Sequence, residues 1–249
     1  MKDVIAIGEL LIDFACKSTD GAGYPTLAAQ PGGAPGNFLA ALQTYGCSTA
    51  MIGKVGDDAF GHLLVGTLQE RGIETKGIII DPKVFTTLAF VTLDATGNRE
   101  FSFARKPGAD TRLTANEVSY DLIDEAKVFH FGTLSLTGEP VRTATVQAVT
   151  YAKRAGKLIS FDPNLRKPLW DSEASAKELE EIIALVEEYD IPAIFVEKNG
   201  SRRSADVIAR ETGCQVYELD LIMSGDGTGI EPYIQAMDQN LSTILEALG

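Results

Sequence analysis

The chain has 249 residues, of which 45% are hydrophobic, and its formal net charge is −13. The length and composition suffice for one large α/β domain, and the acidic balance argues against nucleic acid or an anionic membrane surface as a partner. No run of about 18 apolar residues occurs and no signal peptide is indicated, so we expect a cytoplasmic protein. Cys16, Cys47 and Cys214 lack metal-binding spacing and are expected to be reduced and buried.

Apolar runs separated by turn residues predict strands that alternate with helices in the first two thirds of the chain. The predicted buried strands are Asp3–Ile7, Thr49–Val55, Val128–Gly132 and Lys157–Phe161. Helices are predicted between Pro35 and Gly46, from the N-cap Asp58 to Arg71, and over Glu139–Ala155. This order is typical of a parallel sheet covered by helices.

Segments with a period of two interrupt this alternation. Leu10–Ala15 and Tyr24–Ala29 are predicted strands of a small exposed sheet, and a β-hairpin is predicted within residues 77–105, with Thr87–Leu93 as one arm. An inserted hairpin forms a lid over a site or a contact between subunits. We therefore predict a lid at residues 10–30 and 77–105, and a homodimer through it.

The Pro31–Asn37 stretch joins a glycine pair to the start of a predicted helix. Adjacent glycines let a backbone approach a ligand, and a helix N-terminus with Asn37 in its first turn offers N–H groups and an amide to a polar molecule. Asp13, Gly33 and Asp162 also follow or flank strand ends, where ligands bind in open parallel sheets. Alone, the glycine pair is more typical of an ordinary turn before a helix than of a ligand site.

Six ordered blocks between Val4 and Trp170 resemble the ribokinase/PfkB family of carbohydrate kinases, and within it the fructokinases. They are Gly8-Glu9 with Asp13, Gly32–Asn37, Gly53–Gly61, Phe101–Phe103 with Arg105, Gly108–Asp110 and Phe161–Arg166. The resemblance implies a three-layer αβα sandwich with a mostly parallel sheet and a small β-hairpin lid. It also implies that Asp13, Gly33 and Asn37 contact sugar hydroxyls, that Arg105 and the lid close over the sugar, and that Asn164 and Arg166 lie toward the phosphate donor.

In that family a Gly-Ala-Gly-Asp motif at a late helix N-terminus supplies the carboxylate that accepts the sugar proton and the donors that hold the phosphates. The sequence does not contain this motif. The nearest stretch is Ser224–Gly229, whose residue order and distance to the following helix are different. Asp226 within it is therefore a displaced candidate for the catalytic base.

The composition changes near Ser175, because most of the acidic excess lies in residues 176–249. Predicted helices at Lys177–Tyr189, Arg202–Thr212 and Glu231–Leu248 and strands at Ala193–Glu197 and Gln215–Leu219 form a βαβα unit. This unit is similar to the C-terminal lobe of zinc- or manganese-binding proteins of ABC uptake systems, through Ile191–Glu197, Glu211–Gly213, Leu219-Asp220 and Tyr233–Gly249. The resemblance implies Glu197 and Asp220 as metal ligands, although two carboxylates without histidine make a poor zinc site.

Three hypotheses follow. The first is a chimera, engineered rather than natural, that joins a fructokinase-like portion at residues 1–175 to a binding-protein unit at 176–249, with the junction near residues 171–177. In it, the second portion completes the sheet of the first, part of a sugar site remains, and neither kinase activity nor a certain cofactor is expected. The second is a fructose kinase that uses ATP and Mg²⁺, with Asp226 as base. The third is a divalent-metal-binding module at Glu197 and Asp220.

Overall fold

The computed structural model describes residues 1–93, 99–162, 183–184, 186–189, 191–198, 202–220 and 231–248. The chain divides into two compact units, Met1–Asp171 and Ser172–Gly249. In chain order the first unit contains β1 (Lys2–Ile7), β2 (Leu11–Thr19), β3 (Pro25–Gly32), α1 (Ala34–Thr44), β4 (Thr49–Gly56), α2 (Ala59–Glu70), β5 (Glu74–Asp81), β6 (Thr87–Leu93), β7 (Arg99–Ala104), α3 (Tyr120–Glu125), β8 (Ala126–Gly132), α4 (Val141–Arg154) and β9 (Leu158–Asp162).

A five-stranded parallel sheet with the order β5-β4-β1-β8-β9 forms the centre of this unit. The chain moves along the sheet in one direction through α1 and α2 and in the opposite direction through α4, so right-handed connections place these helices on opposite faces. A strand covered on both faces is buried along its whole length, as in β4, where every residue is buried and the charged Lys54 is paired with Asp81 and Glu117. The predicted α/β sandwich with a mostly parallel sheet is confirmed.

A second sheet of four strands, in the order β3-β2-β6-β7, contains most of the residues predicted as the lid and is called the lid below. The lid is attached to α2 through Phe14, whose ring lies 5.5 Å from that of Phe60 and stacks at 5.3 Å on that of Phe90. The prediction that the lid includes residues 77–81 is wrong. These residues belong to β5, which pairs in parallel with β4, and an isolated apolar run such as Ile78–Ile80 does not indicate which sheet it joins.

The start of α2 is capped as predicted. The Asp58 carboxylate accepts hydrogen bonds from the N–H groups of Phe60 and Gly61 at 3.0 and 2.8 Å. Its second oxygen accepts the N–H of Thr86 at 2.8 Å, immediately before β6. The same side chain therefore fixes a helix of the main layer and the entry to the lid.

The cysteines differ from the prediction. All three are free thiols, but Cys16 is exposed and Cys47 and Cys214 are only half-buried. Cys16 lies where β2 leaves the core, and from there to the turn at Asp20 the strand is open to solvent. The apolar character of cysteine was therefore not sufficient to predict how deeply these three side chains are buried.

In the second unit the structure describes β10 (Ala193–Glu197), α5 (Arg203–Thr212), β11 (Gln215–Leu219) and α6 (Glu231–Leu248). β10 and β11 pair in parallel, and α5 between them ends at Gly213, whose φ of 76° is favoured by glycine. Most of the predicted helix at Lys177–Tyr189 lies outside the described residues. That these strands continue the sheet of the first unit stays a prediction. Across the described helices, none has the length and apolar character needed to cross a membrane.

Candidate functional site

A tight turn connects β3 of the lid to α1 of the main layer. Gly33 in this turn has a φ of 110°, and a Cβ atom there would lie 2.5 Å from the carbonyl oxygen of Glu9. Both the backbone conformation and the available space therefore require glycine. The N–H of Asn37 donates to the Gly33 carbonyl at 3.0 Å, which places the exposed Asn37 in the first turn of α1.

Asp13 lies beside this turn on β2, where it pairs with Gln30 of β3. A Cβ atom at Gly32 would come within 2.3 Å of Asp13 Oδ2, so the half-buried carboxylate lies against the glycine backbone. The structure thus brings the Asp13 carboxylate and the turn that carries Gly33 and Asn37 to the same edge. Carboxylate acceptors together with an amide suit a polyhydroxylated ligand.

A cavity of about 540 Å³ adjoins the turn, within the volume range of small-molecule sites. The cavity is lined by Gln30, Gly32 and Asn37, by further residues of α1 and α2 such as Leu64, and by Arg71 immediately after α2. Pro31, Gly32, Gly36 and Asn37 of the glycine stretch therefore border open space, whereas Asp13 and Gly33 do not line this cavity.

Arg105 is not where the resemblance placed it. Its guanidinium is buried and ion-paired with Asp110 at 2.7 Å, and it also donates to Thr137 Oγ1 and to the carbonyl of Leu134, both at 2.8 Å. A buried charge requires such partners, and here they are all supplied by the protein. The expectation that Arg105 closes over a sugar is therefore corrected: it anchors the base of the lid, just after β7.

Asp110 completes this anchor. Its second oxygen accepts a short hydrogen bond from the Thr87 hydroxyl at the start of β6. Gly108 lies against the same hydroxyl without room for a Cβ atom, and Ala109 N–H donates to the carbonyl of Phe85 at 2.8 Å. The Gly108–Asp110 block thus holds together the two ends of the lid hairpin.

Glu9 is a buried residue of the site whose role the sequence analysis did not identify. Its Oε1 accepts the N–H of Ala34, the first residue of α1, at 3.0 Å. Burial raises the pKa of Glu9 to about 7, and the negative charge of Asp110 adds to this while Arg105 opposes it. The available signal was a single acidic residue within the apolar stretch Val4–Ile12.

The raised pKa of Glu9 makes the stability of the protein depend on pH. Between the ordinary pKa of 4.5 and about 7 the folded chain retains a proton that the unfolded chain releases, so the free energy of unfolding falls as pH rises through this window. We expect the free energy of unfolding of Glu9→Gln to match that of the wild type near pH 4.5. Above about pH 7 it is expected to exceed that of the wild type by about 3 kcal/mol. Urea unfolding across this range measures the difference, with Glu70→Gln on the exposed end of α2 as control. A constant difference at all pH values would contradict the assignment.

The remaining predicted site residues are not assembled into a site by the described part of the chain. Asn164, Arg166 and Asp226 lie outside it, as does the side chain of Glu197 at the end of β10. Asp220 accepts a bond from Lys198 Nζ at 3.0 Å, and Asn240 binds its backbone N–H and carbonyl, each at 2.8 Å. No group of three or more His, Cys, Asp or Glu residues suited to a metal ion occurs among the described residues.

The parallel sheet, the four-stranded lid and the glycine turn at their junction define a carbohydrate-kinase architecture. The family model described as pfkB family carbohydrate kinase matches residues 1–209, and the chain belongs to this family. The fructokinase of Solanum tuberosum is 49% identical over 176 residues, which cover 70% of this chain and 55% of that protein. Probable fructokinase-4 of Arabidopsis thaliana is 40% identical over 220 residues, which cover 88% of this chain and 67% of that protein.

The crystal structure of fructokinase with bound ATP from Xylella fastidiosa is similar to this chain with a TM-score of 0.73 and 27% sequence identity. The match covers 96% of this chain and 66% of that one. The chain therefore spans only part of the length of these relatives.

These comparisons correct the chimera hypothesis. The family match continues to residue 209, and an alignment over 88% of the chain necessarily crosses the proposed junction near residues 171–177. The resemblance of residues 176–249 to a metal-binding lobe finds no support. The prediction of an inactive protein is likewise contradicted by homologues named fructokinase at 40–49% identity. The absence of the Gly-Ala-Gly-Asp motif does not decide whether the protein is active, because the chain spans only part of the length of its relatives.

Proposed function

We propose that this protein is a carbohydrate kinase of the fructokinase type, which transfers a phosphoryl group from ATP to fructose. The proposal is supported by the names of the relatives and by the ATP bound to the Xylella fructokinase. The observation that carries it is the approach of the Asp13 carboxylate to the Gly32-Gly33 turn at the start of α1.

At this edge Asp13 accepts hydrogen bonds from sugar hydroxyls, and the Asn37 amide is able both to donate and to accept. The glycine turn lets the sugar approach the backbone, and the four-stranded lid shields the reacting hydroxyl from water. ATP, when bound with Mg²⁺, supplies the phosphoryl group, so the contribution of these residues is to bind and orient the acceptor. Asn164 and Arg166 on the donor side, and Asp226 as base, stay predictions from the sequence.

Fructose binding tests this proposal. We expect calorimetric titration of the purified chain to give a Kd between about 1 μM and 1 mM, the usual range of substrate affinities. Glucose and mannitol serve as matched hexose and hexitol controls and are expected to bind at least about tenfold more weakly, because they present their hydroxyls differently to the fixed acceptors. Equal affinity for all three, or no heat with fructose, would contradict a fructose site.

A homodimer through the lid and a cytoplasmic location also stay predictions. Light scattering after size-exclusion chromatography measures the first of these.

A further inference from the structure

The start of α1 depends on a side chain from another part of the chain. Its N-cap is Gly33, which has no side chain, and no side-chain hydrogen bond within the turn caps the helix. Pro35 follows as the second helical residue and has no N–H to donate. The Ala34 N–H is instead accepted by Glu9 at 3.0 Å, across 25 residues of sequence.

Glu9 holds the turn in two ways. Its carbonyl oxygen occupies the space in which a Cβ atom of Gly33 would lie, and its carboxylate takes the first N–H group of the helix. A carboxylate at this position also interacts favourably with the positive end of the helix dipole. Position 9 therefore fixes both the path of the glycine turn and the direction in which α1 leaves it.

Burial raises the pKa of Glu9, and the opposite charges of Asp110 and Arg105 act on it in opposite directions. Those two residues form the buried ion pair that anchors the hairpin. Asp13 follows Glu9 in the chain, on β2. A glutamine at position 9 would make the same bond to Ala34 without a buried ionisable group.

We propose that Glu9 is a positioning residue of the sugar site, which holds the Ala34 N–H and thereby fixes the path of the Gly33–Asn37 turn. That the ligand is a sugar rests on the proposed function. The role of Glu9 in holding the turn does not depend on the identity of the ligand.

Two variants of the purified chain separate the bond from the charge. Glu9→Gln keeps an oxygen that accepts the Ala34 N–H, whereas Glu9→Met has a similar length and offers only a weakly accepting thioether sulfur. We expect Glu9→Met to weaken fructose binding at least about tenfold, and Glu9→Gln to stay within about threefold of the wild type. Glu70→Gln on the exposed end of α2 is the control and is expected to leave the affinity unchanged.

Hydrogen exchange at the amides of Ala34 and Asn37, measured by NMR without ligand, provides a second readout. Faster exchange in Glu9→Met but not in Glu9→Gln, with melting temperatures close to that of the wild type, is the expected result. Unchanged exchange and affinity in a folded Glu9→Met variant would overturn the proposal. If Glu9→Met does not fold, a Glu9→Gln variant that folds but binds fructose more than about tenfold more weakly would overturn it as well. If the wild type binds no fructose, the proposed function fails, and the exchange data alone decide the role of Glu9.

Discussion

Replacement of Asp13 by alanine is expected to weaken fructose binding at least about 100-fold while the chain remains folded. A carboxylate that accepts two hydroxyl groups loses two charge-assisted hydrogen bonds on truncation, each contributing about 1.5–3 kcal/mol. Asp13 lies on β2 of the lid sheet and is half-buried, so its removal opens no large core cavity. Calorimetric titration with fructose, together with the melting temperature, measures the effect.

The control for this variant is Lys17→Ala, at an exposed position of the same strand, β2. It is expected to bind fructose as the wild type does. An affinity of Asp13→Ala within about threefold of the wild type would show that the carboxylate does not contact the sugar. In that case the position of Asp13 against the Gly32 backbone would serve only to hold β2 to β3.

Arg105→Met is expected to lower the free energy of unfolding by about 3–5 kcal/mol, because it leaves the buried carboxylate of Asp110 without its cation. Both side chains of the pair are almost fully buried, at 5% and 1% exposure. The variant also removes the bonds to Thr137 and Leu134, which connect the end of the hairpin to the segment after β8. Urea unfolding followed by circular dichroism measures this loss.

Two comparisons make the Arg105 prediction specific. The double variant Arg105→Met with Asp110→Asn removes the unpaired charge and is expected to recover part of the lost stability. Lys76→Met breaks an exposed ion pair with Glu74 and is expected to have little effect. A loss for Arg105→Met no larger than that for Lys76→Met would show that the ion pair does not anchor the lid.

Local sequence patterns predicted much of the fold. The strands Ala193–Glu197 and Gln215–Leu219 and the helix Glu231–Leu248 have the predicted bounds, and Asp58 caps α2 as expected. These features depend on periodicity and on capping within a few residues. Which sheet a strand joins depends instead on distant partners that a local pattern does not reveal. The apolar run at Ile78–Ile80 was therefore assigned to the lid, although β5 pairs with β4.

The candidate site was predicted less completely, because its buried charges have partners that local patterns do not reveal. Asp13, Gly33 and Asn37 were predicted together through the family resemblance, and the structure brings the turn and the carboxylate to one edge. Glu9 contacts Ala34 across 25 residues, and Arg105 contacts Leu134 across 29. Such partners become visible only once the chain is folded.

The chimera hypothesis failed for a different reason. A shift in charge near Ser175 and one missing motif were interpreted as a change of ancestry. The family match to residue 209 spans that shift. Charge composition describes solubility and association, not the origin of a fold.

The most direct test of the proposed function is a coupled assay of ADP release by the purified chain with ATP, Mg²⁺ and fructose. The proposal predicts ADP release that depends on fructose and is accompanied by formation of a fructose phosphate. The kcat/KM for fructose is expected to fall at least about 100-fold in Asp13→Ala. ADP release that is independent of fructose, or no release by a folded chain at saturating fructose and ATP, would contradict it.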